Sequence, residues 1–337
     1  MDLRASLRPA LVALLVAALA GGLAIGAGAC GGSPGETAGS TDRASAGPAA
    51  LGPLGDPVPG AATVHVDLPY ATESSAQRLD IYLPAGGEAP YPVLVAIHGG
   101  GFSGGDKEDG QVTPVLRGLT RGYAVVGLDY RLSGEARFPA AVNDVKTAVR
   151  WLRAHAAEYD LDGSRIALWG DSAGGNLAAL AGTAGDSTAL RGPRPANADQ
   201  SDQVQAVVDW FGPISFLQTD RDFRVAGFER PSAANPGSFL SEYLGAPLDQ
   251  VPGRVRASDP ITYLTPEDPP ILIEHGKADG TVPYPQSVRL ARAYAAVAGG
   301  DKVTLHLYEG AGHVDPLFYE EGHLDDVLDW LDARLGT

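Results

Sequence analysis

The chain carries 337 residues, 44% of them hydrophobic, with 41 acidic and 25 basic side chains and a formal net charge of −16. That length holds one large α/β domain or two small ones. The acidic balance argues against a nucleic-acid binder, which needs a basic face, and against electrostatic attachment to anionic lipid.

At the N-terminus, Arg4 and Arg8 precede an uncharged run from Pro9 to Ala29 that is rich in Leu, Val and Ala. Ala27-Gly28-Ala29 then gives a small-residue cleavage pattern directly before Cys30. Residues 1–29 read as a cleaved export signal, although the run is also long enough to span a bilayer uncleaved. Cys30 is the only cysteine, so no intrachain disulfide can form. Its position resembles a bacterial lipobox, with Ala27 where such boxes usually carry Leu. A lipid on Cys30 would make the protein a cell-surface lipoprotein with a membrane tether; without one it is secreted. From Gly31 to about Ala62 the sequence is mostly Gly, Ser, Thr, Ala and Pro without apolar periodicity, which predicts a flexible tether over 30–62. The folded domain is expected over 63–337.

Eight strand-like runs follow: Val64–Leu68, Arg78–Leu83, Val93–Ile97, Ala124–Asp129, Arg165–Trp169, Val204–Trp210, Ile271–Glu274 and Val303–Tyr308. The first two alternate, as an antiparallel edge does; later ones such as "VLVAI" and "AVVGL" are unbroken, as in a parallel sheet covered on both faces. Helical patterns over Pro139–Ala157, Pro285–Val297 and His323–Leu335 separate the later strands. Within the first of these, Val142, Val145, Val149 and Leu152 make one apolar face. Strands alternating with helices predict an α/β sheet with right-handed crossovers.

The pattern Gly-x-Ser-x-Gly occurs around Ser33, Ser103 and Ser172. A catalytic serine of this kind needs a strand running in, a sharp turn and a helix running out. Ser33 lies in the expected tether, and Ser103 is followed by the loop "GGDKEDGQ". Ser172 alone has an apolar strand before it ("RIALW") and an Ala/Leu helix after it. A serine hydroxyl is a poor nucleophile at neutral pH, and it needs an imidazole to take its proton and a carboxylate to orient that imidazole. Asp279 lies just beyond the seventh strand in "GKADGTVP", where Asp-Gly also suits a plain turn. Glu274 is a rival acid inside that strand. His313 lies in "GAGHVD", after the last strand and before the last helix.

The other six histidines are assigned elsewhere. His65 and His306 fall in strands, His155 in a helix and His323 at a helix start. His275 is expected to support the Asp279 loop, and His98 to brace the glycine loop it opens. In that loop, "HGGGF" after the third strand, the N–H groups of Gly100 and Gly101, joined by that of Ala173, are expected to form an oxyanion hole.

"LDIYLP", "HGGGF", "VVGLDYRLS", "FPAAVNDVKTAVRWLR", "IALWGDSAGGNLAAL", "DPPILIEHGKADGTVP" and "GAGH" run in order from about residue 76 to 313. Together they resemble an α/β-hydrolase of the esterase/lipase kind, in particular carboxylesterases, hormone-sensitive-lipase-like enzymes and bacterial feruloyl esterases. The resemblance implies an eight-stranded, mostly parallel sheet with helices on both faces and a Ser172/Asp279/His313 triad. It also implies a small-molecule ester substrate, with no metal and no organic cofactor. Hormone-sensitive-lipase relatives usually have an N-terminal helical cap, whereas here the tether leads straight into the first strand. A small insertion after the sixth strand, Pro213 to Asp268, is expected to cover the site in part. Its Phe216, Phe223, Phe228, Phe239 and Tyr243 either line a pocket or pack the insertion onto the domain. The same residues also fit a serine peptidase or a small-amide, formamidase-like hydrolase of this fold. In a different class stands a non-catalytic exported binding protein, against which the complete Ser/Asp/His set argues.

Overall fold

The computed structural model describes residues 58–185, 187–193 and 195–336. The expected export signal, Cys30 and Ser33 lie outside the described residues. Strand β1 (Ala61–Pro69) opens two residues ahead of the expected domain edge at 63. Ala61 N–H is held by Val58 O at 3.1 Å and Ala85 N–H by Gly60 O at 2.8 Å.

The remaining strands are β2 (Arg78–Pro84), β3 (Tyr91–Ile97), β4 (Ala124–Leu128), β5 (Leu161–Asp171), β6 (Ala206–Trp210), β7 (Ile271–Gly276) and β8 (Val303–Tyr308). All eight expected runs are strands of one sheet, in the order β1-β2-β4-β3-β5-β6-β7-β8. β1 and β2 pair antiparallel, as does β2 with β4. Every later pair is parallel. β5 extends back to Leu161 because that residue pairs with Tyr91.

The helices are α1 (Thr113–Leu116), α2 (Ala140–Ala154), α3 (Ala173–Ala184), α4 (Thr219–Val225), α5 (Phe239–Leu244), α6 (Pro252–Ala257), α7 (Pro285–Val297) and α8 (Glu321–Leu335). α2 ends at Ala154, so His155 is its C-cap rather than a helical residue.

Alternate strand residues feed two separate cores, as a period of two requires. Val93, Val95, Ile97, Ile166, Leu168, Ile271 and Ile273 pack on one face with residues of α2, α3 and α7. Leu94, Ala96, Ala167, Trp169, Val208 and Leu272 pack on the other with α1 and α8. Each fully buried Val, Leu or Ile contributes ~1.5–3 kcal/mol. The insertion between β6 and β7 joins the first core through Phe216, Leu240, Tyr243, Leu244, Leu248 and Val255.

Candidate active site

Ser172 sits on the turn from β5 into α3, with φ 51° and ψ −118°. A positive φ costs a non-glycine residue ~1–3 kcal/mol and persists only where the surroundings impose it. Here the Ser172 N–H donates to Trp210 O at 2.8 Å, and strand and helix press together on either side. A β-carbon on Gly170 would overlap the Gly174 carbonyl, and one on Gly174 would overlap the Ile97 carbonyl. Both glycines of the pentapeptide are therefore required by close approach.

His313 stands on the loop after β8 and Asp279 on the loop after β7. His313 Nε2 lies 2.9 Å from Ser172 Oγ, and Nδ1 lies 2.7 Å from Asp279 Oδ2. A carboxylate at Nδ1 fixes the tautomer: Nδ1–H donates to Asp279, leaving Nε2 to accept the Ser172 hydroxyl proton. Phe211 packs edge-on against the imidazole at 4.8 Å.

Asp279 is fully buried. Its Oδ1 accepts the N–H groups of Thr281 and Val282 at 2.7 and 2.8 Å. Burial pushes its pKa up, but hydrogen bonds from His275 and His313 outweigh it and hold the carboxyl well below the usual range. His275 Nε2 lies 3.3 Å from Asp279 Oδ2. The same ring is anchored by Val282 O at 2.9 Å and Ser287 Oγ at 2.7 Å, so it supports the acid loop. That loop is tied to the end of β8 by Lys277 N–H to Tyr308 O, at 2.8 Å, and to the histidine loop by Ala278 N–H to Ala311 O, at 2.9 Å.

The rival acid, Glu274, is taken up elsewhere. It accepts from Trp210 Nε1 at 2.8 Å, Tyr308 OH at 2.8 Å and His306 Nδ1 at 3.0 Å, and lies 2.9 Å from His323 Nε2. Burial raises its pKa, but these partners prevail and hold it at about 2.

The glycine loop abuts the serine turn: a β-carbon on Gly99 would crowd Asp171 Oδ2 at 2.9 Å and Asp171 O at 3.1 Å. Gly100 and Gly101 have φ of 95° and 60°. Among the described residues, the N–H groups of Gly100, Gly101 and Ala173 have no acceptor in the protein. His98 braces the loop, stacking on Tyr130 at 4.4 Å while Tyr130 OH donates to His98 O at 3.0 Å. Ser103 is exposed, and its Oγ faces Gly100 O at 3.4 Å.

The insertion aromatics divide between the two expected roles. Phe216 and Tyr243 are core, and Tyr243 stacks on Phe102 of the glycine loop at 3.8 Å. Phe223 and Phe239 line a cleft of about 480 Å³ that Gly280 and Thr281 of the acid loop also border. Phe228 packs over Gly280.

Sequence reasoning missed Asp171, which is buried beside Ser172 with Oδ2 lacking a hydrogen-bond partner. Burial pushes its pKa up to about 8. Spacing could not distinguish it from any residue between a motif glycine and serine. It also missed Tyr243 as the support for Phe102, a contact between segments far apart in sequence.

The BD-FAE family model matches residues 79–294. Esterase LipC of Mycobacterium tuberculosis is 31% identical over 246 residues, covering 72% of this chain and 57% of that protein. The chain spans about half the length of the curated relatives it matches. Among solved structures, a truncated carbohydrate esterase from gut microbiota superposes with a TM-score of 0.73 at 28% identity, covering 82% of this chain and 98% of that one. Thermogutta terrifontis esterase 2, solved phosphonylated by sarin, gives a TM-score of 0.64 at 27% identity, with coverage of 84% and 98%.

Proposed function

The chain belongs to the BD-FAE family, and on that premise we propose that it is a serine hydrolase cleaving carboxylic esters through an acyl-enzyme intermediate. The observation that carries this reading is the unbroken line from Asp279 Oδ2 through His313 to Ser172 Oγ, with contacts of 2.7 and 2.9 Å. In this mechanism His313 Nε2 takes the hydroxyl proton as Ser172 Oγ attacks the ester carbonyl. The charge that develops on the carbonyl oxygen is held by the N–H groups of Gly100, Gly101 and Ala173. Asp279 orients His313 and stabilises its charged form, and His313 protonates the departing alcohol. Water then enters by the same route and releases the acid. The esterase names of the relatives support the reaction class, and the phosphonylated Thermogutta enzyme supports a nucleophile that reacts at phosphorus as it does at carbonyl carbon.

Replacing Ser172 with Ala should lower kcat on 4-nitrophenyl acetate by roughly 10⁴-fold or more while the protein stays folded. A fluorophosphonate should label the wild type at Ser172, read by peptide mass. Full turnover in the variant, or a label on another residue, would overturn the assignment. For location, we infer export, as a cell-surface lipoprotein carrying lipid on Cys30 or as a secreted protein, and lipid in the mass of the mature N-terminus decides between them.

A further inference from the structure

The cleft of about 480 Å³ beside the acid loop has an unusual lining for so acidic a chain. Its walls include Phe223, Phe239 and Leu240; Arg230 is its one charged lining group, and no Asp or Glu lines it. Three other clefts among the described residues carry carboxylates: Glu73 with Asp144, Glu135 with Glu242, and Glu267 with Asp268.

Arg230 makes no hydrogen bond or ion pair with other described residues. It is nevertheless held in place. Its guanidinium lies 5.8 Å from the centre of the Phe228 ring, and a β-carbon on Gly280 would overlap its Nη2. The cation is thus seated on the backbone immediately after Asp279. Phe239, another lining residue, would have its Cβ 3.3 Å from a β-carbon on Gly101. The cleft is therefore bordered by Gly280 and Thr281 of the acid loop and backs onto the glycine loop through Phe239.

We propose that this cleft is a specificity subsite for esters whose aromatic or apolar portion carries a carboxylate, with Arg230 binding that carboxylate. This rests on the hydrolase reading above. Aromatic and aliphatic walls bury the apolar portion, while a guanidinium offers a two-pronged donor matched to a carboxylate. A chain of net charge −16 repels anions at long range, so a local cation whose cleft is lined by no carboxylate gives an anionic substrate a favourable place to settle.

Two matched pairs test it on the full chain. Monomethyl terephthalate against dimethyl terephthalate puts the carboxylate on the acyl side. 4-Acetoxybenzoate against its methyl ester puts it on the alcohol side. Arg230→Gln should lower the anionic-to-neutral ratio of kcat/KM by roughly ten- to a hundredfold in at least one pair, mainly through KM. Arg230→Lys should keep part of the ratio, and near-UV circular dichroism checks that both variants fold. Ratios unchanged in both pairs, or equal losses on charged and neutral esters, would overturn the proposal, the second outcome pointing to support of Asp279. Calorimetry with terephthalate separates this idea from the hydrolase reading. Arg230-dependent binding without turnover of any ester would sink the hydrolase reading and keep the subsite. Turnover with Arg230-independent binding would do the reverse. Should the glutamine variant not fold, terephthalate affinity unaffected by the lysine variant would also count against the subsite.

Discussion

In and just after β7, Glu274 and Asp279 are buried with their carboxyls held well below the usual range; at the end of β5, Asp171 is buried nearly as fully and is pushed up to about 8. Burial disfavours the charged form in all three, so burial does not decide the outcome. Donors decide it. Asp279 has two backbone N–H groups and two imidazoles, and Glu274 has two imidazoles, an indole and a phenol. Asp171 has only backbone N–H groups, its own and that of Gly99, which do not offset burial, and its Oδ2 is left without a hydrogen-bond partner. The asymmetry suits the proposed chemistry. Positive charge develops on His313, where an ionised Asp279 is favourable. Negative charge develops on the substrate oxygen near the glycine loop, where an ionised Asp171 would oppose it.

The sharpest way to break this comparison is to remove the charge at the β7 end. Asp279→Asn should lower kcat on 4-nitrophenyl acetate by roughly 10⁴-fold, because an amide neither fixes the reactive tautomer nor offsets an imidazolium. A loss under about tenfold would mean that the charged end does not serve catalysis.

Glu274→Gln probes the same end for stability. It should cost ~3 kcal/mol in urea unfolding at pH 7, since it strands donors around a buried site. Glu274 has its folded pKa depressed to about 2 from an ordinary 4.5. Its stabilisation is therefore present above about 4.5 and lost as pH falls towards 2. The gap between wild type and variant should close across that window.

Asp171→Asn should act in the opposite sense. With its folded pKa raised to about 8, wild-type Asp171 favours folding below its unfolded value. That contribution is lost as pH rises from ~4 to 8, because the unfolded chain ionises first. The variant should gain steadily on wild type between pH 4 and pH 8, read from thermal melts. A difference flat with pH would mean that Asp171 ionises in place.

The smallest effect is expected at Tyr243, whose hydroxyl is also buried without a partner. Tyr243→Phe keeps the stack on Phe102 and removes an unpaired group, so stability should change by less than ~1 kcal/mol, and upwards if at all.

The same divide runs through what could be read in advance. Ser172, Asp279 and His313 each follow an apolar strand run and sit among turn residues, so local pattern made them candidates, and the family resemblance joined the three. The eight strands were legible because continuous aliphatic runs persist where both faces of a sheet are covered. The insertion was not legible. α4 and α5 are seven and six residues long, too short to display a helical period. Whether Phe216 and Tyr243 face a pocket or the core depends on Phe102, which lies more than a hundred residues away in the chain. Asp171 escaped notice for a related reason: its proton is set by which donors distant segments withhold.

The two bonds that lace the stretch after β7 to the end of β8 and the loop beyond it give Asp279 and His313 a shared backbone support. The Ser172 turn hangs instead from Trp210. In the proposed relay, the 2.9 Å gap between imidazole and hydroxyl is therefore where the two supports meet.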